Sequence, residues 1–327
     1  MVVVSGRFSQ LFLIVAVSNS FAFDRELICN SLTSLTPWQR QLCIQNPRIF
    51  LTLADGASRA LTQCRRQFQY NQWNCTQDLN FTSEFYYSMQ NNTREAAFLM
   101  AIQGAALTYD LVRACDENFI PDCNCTSQRP PGDNSNWEGC QSGLEFAVSL
   151  VTQFFNDLAT ESNASMMGEI EFHNINVGIK VVEKSKITTC RCKHSSMSRD
   201  CQEVCRHTFP PFPDIATSLK EKYLRAQRVV RIRHTNELVR ETELNQYNRP
   251  DDGKLIFSHD TPDYCNDVGG PEGRPCLDPL HCATLCCGRG YYETTTLVTE
   301  QCDCRFVYCC EVVCRNCKTV SVRYRCY

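Results

Sequence analysis

Residues 302–317 read Cys302-Asp303-Cys304-Arg305-Phe306-Val307-Tyr308-Cys309-Cys310-Glu311-Val312-Val313-Cys314-Arg315-Asn316-Cys317. Six of these sixteen residues are cysteine, and aromatic and β-branched side chains stand between them. Such side chains suit a pleated, half-exposed strand. The pattern continues outward through Thr294–Val298 and Thr319–Tyr324. Apolar content in this region is too low for an ordinary core, so a small module of short strands stapled by bridges is expected.

Further out, the 24 cysteines divide evenly: twelve from Cys29 to Cys205 and twelve from Cys265 to Cys326, with none in residues 206–264. Even counts let each half close its own bridges. The division predicts an N-terminal domain over 23–230, a linker over 231–262 and a C-terminal cysteine-rich domain over 263–327. Within the linker, Arg249–Pro250–Asp251–Asp252–Gly253 has turn composition.

Compartment decides whether cysteines pair or bind metal. The first 22 residues answer this. Arg7 precedes the apolar run Leu11–Val17, and Ser20–Phe21–Ala22 offers small residues before a cleavage point. This is a signal peptide over 1–22, too short to span a bilayer, and no later run reaches the roughly 18 apolar residues that spanning needs. The chain is therefore expected in the extracellular space and matrix, with disulfides as its default sulfur chemistry. Asn-x-Ser/Thr sequons at Asn74, Asn80, Asn91, Asn124 and Asn163 predict a glycosylated surface on the first half.

That first half is expected to be mainly helical. Phe50, Leu53, Ala57, Leu61, Cys64 and Phe68 recur at helical spacing. Residues 95–114 are Ala- and Leu-rich all round, as in a buried central helix. Leu144, Val148, Val151, Phe155 and Leu158 make a third stripe, and Ile215, Leu219, Tyr223, Ala226 and Val230 a fourth. The fold class is α+β and disulfide-rich: an N-terminal helical bundle, then a C-terminal cystine-rich β module.

A net charge of −3 gives no global pull toward nucleic acid. Lys220, Lys222, Arg225, Arg228, Arg231, Arg233 and Arg240 form a basic run that reads first as a solvated helix face and second as a seat for sulfated glycans such as heparan sulfate. The six histidines are scattered, and neither H-E-x-x-H nor G-x-S-x-G occurs. His194 near Ser198 lacks the orienting acid and oxyanion hole of a serine hydrolase. No catalytic site, metal site or cofactor is expected.

Several segments, spanning about residues 27–326, together resemble the Wnt family of secreted lipid-modified signalling ligands. Gln63–Phe68 with Asn71–Cys75 resembles "ECQ.QF..RRWNC". Asn136–Trp137–Glu138–Gly139–Cys140 followed by Phe154–Asp157 resembles "W.WGGC…F…F.D". His173–Gly178 resembles "HNN.AG", Leu219–Tyr223 resembles "LKEKY", and Ser258–Cys265 resembles "E.SPDYC". Cys286–Tyr291 and Cys302–Cys310 resemble "CCGRGY" and "C.CKFHWCC".

The resemblance implies pairing of Cys29 with Cys43, Cys64 with Cys75, Cys115 with Cys123, Cys125 with Cys140, Cys190 with Cys205 and Cys192 with Cys201. In the second half it implies Cys265 with Cys287, Cys276 with Cys282, Cys286 with Cys326, Cys302 with Cys317, Cys304 with Cys314 and Cys309 with Cys310. It also implies a stapled hairpin over 190–205 that displays an acylated serine. The family loop "HGVSGSC" is here two residues longer and free of glycine. Counting back from Cys201, Ser198 holds the acceptor position, with Met197 beside it.

The implied partners are a Frizzled-type cysteine-rich domain, a low-density-lipoprotein-receptor-related co-receptor, a Porcupine-type acyltransferase and a Wntless-type carrier. The implied receptor contacts are Met197 and acylated Ser198 on the first hairpin, and Phe306, Val307, Tyr308, Cys309, Cys310 and Val312 at the tip of the second. Tyr308 stands where the family has tryptophan. A different class of function is a non-lipidated extracellular binding or matrix module on the same fold. It is distinguished by whether Ser198→Ala leaves receptor binding intact.

Overall fold

The computed structural model describes residues 29–30, 35–75, 92–123, 125, 136–140, 142–161, 166–194, 201–232, 237–241, 247–265, 271–308 and 310–327. Residues 1–22, expected as a signal peptide, lie outside these. The chain divides into two compact units, one of Met1–Gln67 and Phe85–Pro262, the other of Phe68–Glu84 and Asp263–Tyr327.

The first unit begins with helix α1 (Pro37–Gln45) and helix α2 (Pro47–Phe68). Thr36 starts α1 with a reciprocal cap: its hydroxyl accepts from the Gln39 amide and the Gln39 side chain accepts from its own. The Gln39 Nε2 then donates to the Phe154 carbonyl at 3.0 Å, so one buried side chain both caps a helix and ties it to another.

Helix α3 (Arg94–Asp116) is the centre. It is buried on every side from Glu95 to Val112, with Thr93 as its N-cap. Strand β1 (Asn136–Glu138), helix α4 (Gly143–Glu161) and helix α5 (Met166–Lys184) follow. Then come β2 (Ile187–His194), β3 (Cys201–Thr208) and helix α6 (Phe212–Leu224).

Helices α4, α5 and α6 all pack on α3. The α3–α5 crossing is close because two glycines meet backbone there. A Cβ on Gly178 would lie 1.9 Å from the Ala101 carbonyl oxygen, and one on Gly104 would lie 2.5 Å from that of Ile175. The core is aliphatic and aromatic, with Phe50 and Leu53 of α2, Leu107 and Leu111 of α3, Val151 and Phe154 of α4, and Ile175 and Ile179 of α5. Of the first helical stripe, Leu61 is only half-buried.

Two acidic groups of α3 are satisfied by pairing. Asp110 accepts from Arg59 Nε at 2.8 and 2.9 Å. Burial nevertheless holds its carboxyl above the usual range. Glu95 accepts from the Tyr223 hydroxyl at 2.8 Å and from Thr261 at 3.0 Å.

Residues 231–262, expected as a linker, instead belong to the first unit and carry most of a small sheet. Strands β4 (Gln227–Arg231), β5 (Leu238–Glu241), β6 (Tyr247–Asn248) and β7 (Ile256–Phe257) are ordered β6-β5-β4-β7. A satellite core of Ile170, Val229 and Ile256 seats the sheet on α5. Asn174 of α5 treats β7 as a strand partner: its Nδ2 donates to the Ile256 carbonyl and its Oδ1 accepts from the Ile256 amide, both at 2.9 Å. His173 Nε2 donates to the Lys254 carbonyl at 2.9 Å.

The fourth helical stripe is also corrected. Helix α6 stops at Leu224, and Val230 lies in β4, where the β-branched pair Val229–Val230 suits a strand better than a helix. The basic run is consequently divided, with Lys220 and Lys222 in α6, Arg225 at its C-cap, Arg228 and Arg231 in β4 and Arg240 in β5, so these residues form no single helix face; Arg233 lies outside the described residues.

The second unit contains β8 (Pro275–Cys276), helix α7 (Pro279–Leu285), β9 (Tyr291–Val307) and β10 (Glu311–Cys326), with sheet order β8-β10-β9. Its core is largely sulfur. Cys276, Cys282, Leu285, Cys286 and Cys326 pack under Tyr291 and Tyr324. Arg274 gathers the backbone that follows α2, donating to the carbonyls of Gln72 (2.6 Å), Gln69 (3.2 Å) and Asn71. The strands are not short. β9 has 17 residues and β10 has 16. At about 3.3 Å per residue the ribbon is roughly 55 Å long. Bridges and a long backbone ladder take over the work that a core would do.

Candidate functional site

The first hairpin is β2 paired antiparallel with β3, from Ile187 opposite Thr208 to His194 opposite Cys201. Two features hold its base. The Cys190–Cys205 bridge joins directly opposed residues and closes a 15-residue separation. A loop of that length is worth about 3 kcal/mol in unfolded-chain entropy. Cys192 is also a half-cystine.

The second feature is β1, which pairs parallel with β3 and sets Trp137 opposite Cys205. The Trp137 ring lies 4.8 Å from that of His207, and Arg191 Nη2 donates to Glu138 at 2.9 Å. The chain leaves β1 through Cys140, which is bridged to Cys125 and whose own amide donates to Asp116 at the end of α3. Trp137 and Gly139 (φ +88°) thus belong to the hairpin's mount. His207 is held below its ordinary pKa, first by burial and then by the charge of Lys186. The connection 195–200, with Met197 and Ser198, lies outside the described residues.

The second hairpin is the far end of the β9–β10 ribbon. Cys302–Cys317 and Cys304–Cys314 cross it, so these four sulfurs are consumed in bridges. Register shifts between Val313 and Arg315, where Asp303 adopts φ +50°. This is a β-bulge, with one extra residue on β9, and a short polar side chain tolerates the left-handed backbone. Bulges bend and twist a ribbon, which re-aims its tip.

Beyond the bulge, Val312 stands opposite Phe306 and Glu311 opposite Val307, and Tyr308 and Cys310 are turn residues. Cys310 closes the turn at φ +84°. Tyr308 is 97% exposed, Phe306 70%, Val312 61% and Val307 48%. Cys310 is exposed, and Cys309 lies outside the described residues. Four large apolar side chains are thus held in water on a cross-linked support. Contiguous patches of this kind mark partner sites.

The remaining bridges join Cys29 to Cys43, Cys115 to Cys123, Cys265 to Cys287, Cys276 to Cys282 and Cys286 to Cys326. Cys64 and Cys75 are half-cystines. Of the sequons, Asn74 is half-buried between Trp73 and Cys75, whereas Asn80, Asn91, Asn124 and Asn163 lie outside the described residues. Among the described residues, no helix is long and apolar enough to cross a membrane.

Sequence reading located the tip but not the bulge that aims it, and the hairpin but not the strand that mounts it. Two of the motifs quoted above, His173–Gly178 and Leu219–Tyr223, serve structure. His173 and Asn174 clasp residues 254–256, Gly178 lets α5 meet α3, and Tyr223 satisfies Glu95.

Comparison with known proteins agrees with this architecture. Residues 31–327 match the sequence profile described as the Wnt family. The chain is 32% identical over 318 residues to protein Wnt-11b-1 of Xenopus tropicalis, covering 91% of this chain and 88% of that protein. It is similar in structure to WNT8A as solved in complex with human WLS, with a TM-score of 0.62, 26% identity, and coverage of 86% of this chain and 95% of that one.

Proposed function

Because this chain belongs to the Wnt family, whose members are secreted signalling ligands and not enzymes, we propose that its two stapled hairpins are the contacts by which it engages a Frizzled-type cysteine-rich domain. Members of the family carry no cofactor, only a covalent lipid. In this chain Ser198 is the acceptor, esterified by a Porcupine-type acyltransferase. Acyl burial contributes about 0.8 kcal/mol per methylene, so a long chain in a receptor groove supplies several kcal/mol. A Wntless-type carrier shields that chain during secretion, a co-receptor of the low-density-lipoprotein-receptor-related type completes the signalling complex, and the extracellular matrix holds the released ligand. Glycans occupy sequons of the first half.

The observation that carries this reading is the tip of the ribbon. Phe306, Val307, Tyr308 and Val312 are exposed beyond two crosslinks, an arrangement that costs solubility unless a partner covers it. Rigid support lowers the ordering cost of binding. The test is mass spectrometry of the Cys192–Cys201 loop peptide from secreted protein, with receptor-domain binding of Ser198→Ala alongside. An acyl adduct and a large loss of affinity are expected. An unmodified loop on fully active protein would end the lipid claim. A second reading, a non-lipidated matrix module, draws on the loop's lack of glycine, since glycine permits backbone shapes closed to other residues. Unchanged binding by Ser198→Ala would favour it.

A further inference from the structure

Apart from the hairpins, the first unit carries a groove of about 300 Å³ between α5 and α6. Its floor is apolar: Val177 and Val181 from α5 and Ile215 from α6. Val177 and Ile215 are fully buried, so the floor is continuous with the core. Its rim is basic, with Lys180 and Lys184 one turn apart on α5 and Lys222 from α6.

The compensation of this charge is incomplete. Lys180 lies 3.8 Å from Asp252, an exposed and weak pair. Lys222 Nζ donates to the Gly253 carbonyl at 2.5 Å, a contact that uses one of its three protons and neutralises nothing. Among the described residues, Asp214 is the single acidic side chain on the wall. The site therefore joins an apolar slot to two ammonium groups, Lys184 and Lys222, that make no salt bridge among the described residues; Asp251 acts on Lys222 only through its field, which ranks behind burial and the charge of Lys184.

We propose that this groove binds an anionic amphiphile, a single alkyl chain with a carboxylate or phosphate head, its chain on Val177, Val181 and Ile215 and its head between Lys184 and Lys222. Concave sites with apolar walls and a few convergent polar groups are the usual form of small-ligand sites. The electrostatics agree. Lys222 sits below the ordinary lysine pKa, first through burial and second through the positive charge of Lys184, so a bound anion relieves a repulsion already present. This site shares no residue with either hairpin, and its occupancy does not depend on their receptor role.

The test uses full-length secreted protein and isothermal titration with decanoate, decyl phosphate, 1-decanol and inorganic phosphate, all kept below micelle formation. Saturable 1:1 binding of the two charged amphiphiles is expected, with 1-decanol and inorganic phosphate each at least about tenfold weaker. Shortening decanoate to octanoate should weaken binding by roughly fourfold per methylene. A preference for decanoate identifies a fatty-acid head, and a preference for decyl phosphate a phospholipid-type head. Lys184→Glu, on an exposed side chain, should cost at least about tenfold for both charged probes and leave 1-decanol unchanged. Val181→Asp should weaken all three alkyl probes. Equal binding of decanoate and 1-decanol, no saturable binding of either charged probe, or an unchanged decanoate affinity in Lys184→Glu would overturn the proposal.

Discussion

Truncation of Tyr308 separates binding from stability more cleanly than any other change at the tip. Its side chain is 97% exposed and flanks the turn of the ribbon. Tyr308→Ala therefore removes nothing on which the free protein depends, and its unfolding free energy should stay within about 0.5 kcal/mol of the parent. In a complex the same side chain passes from full exposure to a partner's surface. Full burial of a large apolar side chain is worth about 1.5–3 kcal/mol, and aromatic anchors at the centre of an interface reach about 2 kcal/mol or more. At about 1.4 kcal/mol per tenfold, the Kd for a Frizzled-type cysteine-rich domain should rise by roughly 10- to 150-fold. Most of that change should fall in the dissociation rate.

Biolayer interferometry on an immobilised receptor domain reads both rates. Leu297→Ala is the internal control, since Leu297 is also a large exposed apolar residue of β9 but lies back along the ribbon. Its affinity should stay within about twofold of the parent. Two results would refute the reasoning: Tyr308→Ala binding within about threefold of the parent, or Leu297→Ala losing as much. The second would move the contact from the tip to the shaft.

The fold makes further predictions. Asn174→Ala removes two buried hydrogen bonds and strands the Ile256 amide and carbonyl, so chemical denaturation should report a loss of about 2–4 kcal/mol and hydrogen exchange should accelerate first in β7. Gly178→Ala drives a methyl into the Ala101 carbonyl and should either prevent secretion of folded protein or lower its melting temperature by several degrees, whereas the surface change Lys186→Ala should do neither. Burial holds His173 below its usual 6.5, outweighing its hydrogen bond to Lys254. The unfolded chain therefore binds more protons between that lowered value and 6.5. This contribution is complete above about pH 6.5 and is lost as the pH falls through the folded-state value. Melting curves from pH 7.5 to 5 should show that decline, and His173→Gln should flatten it.

Local regularities were legible in the residues alone. The spacing of Phe50, Leu53 and Ala57 fixes a helix face, and the nearly all-round apolar character of 95–114 points to a helix enclosed on all sides; α2 and α3 have these properties. The cluster 302–317 announced a stapled hairpin with an apolar tip. These features follow from nearest neighbours along one chain segment, and periodicity encodes them directly. What lay beyond the residues is long-range. Residues 231–262 read as a linker because their charge and turn composition hide four buried apolar positions, Val239, Leu255, Ile256 and Phe257. These acquire value only against neighbouring strands and Asn174 on α5. In the same way Trp137 looks like one more aromatic until β1 pairs with β3, and Asp303 like one more acid until register demands an extra residue. Lysines at 180, 184 and 222 become one basic rim only when α5 and α6 lie side by side. Periodicity writes the elements into the chain. Which elements touch is settled by the packing of surfaces far apart in sequence, and that the tertiary structure alone decides.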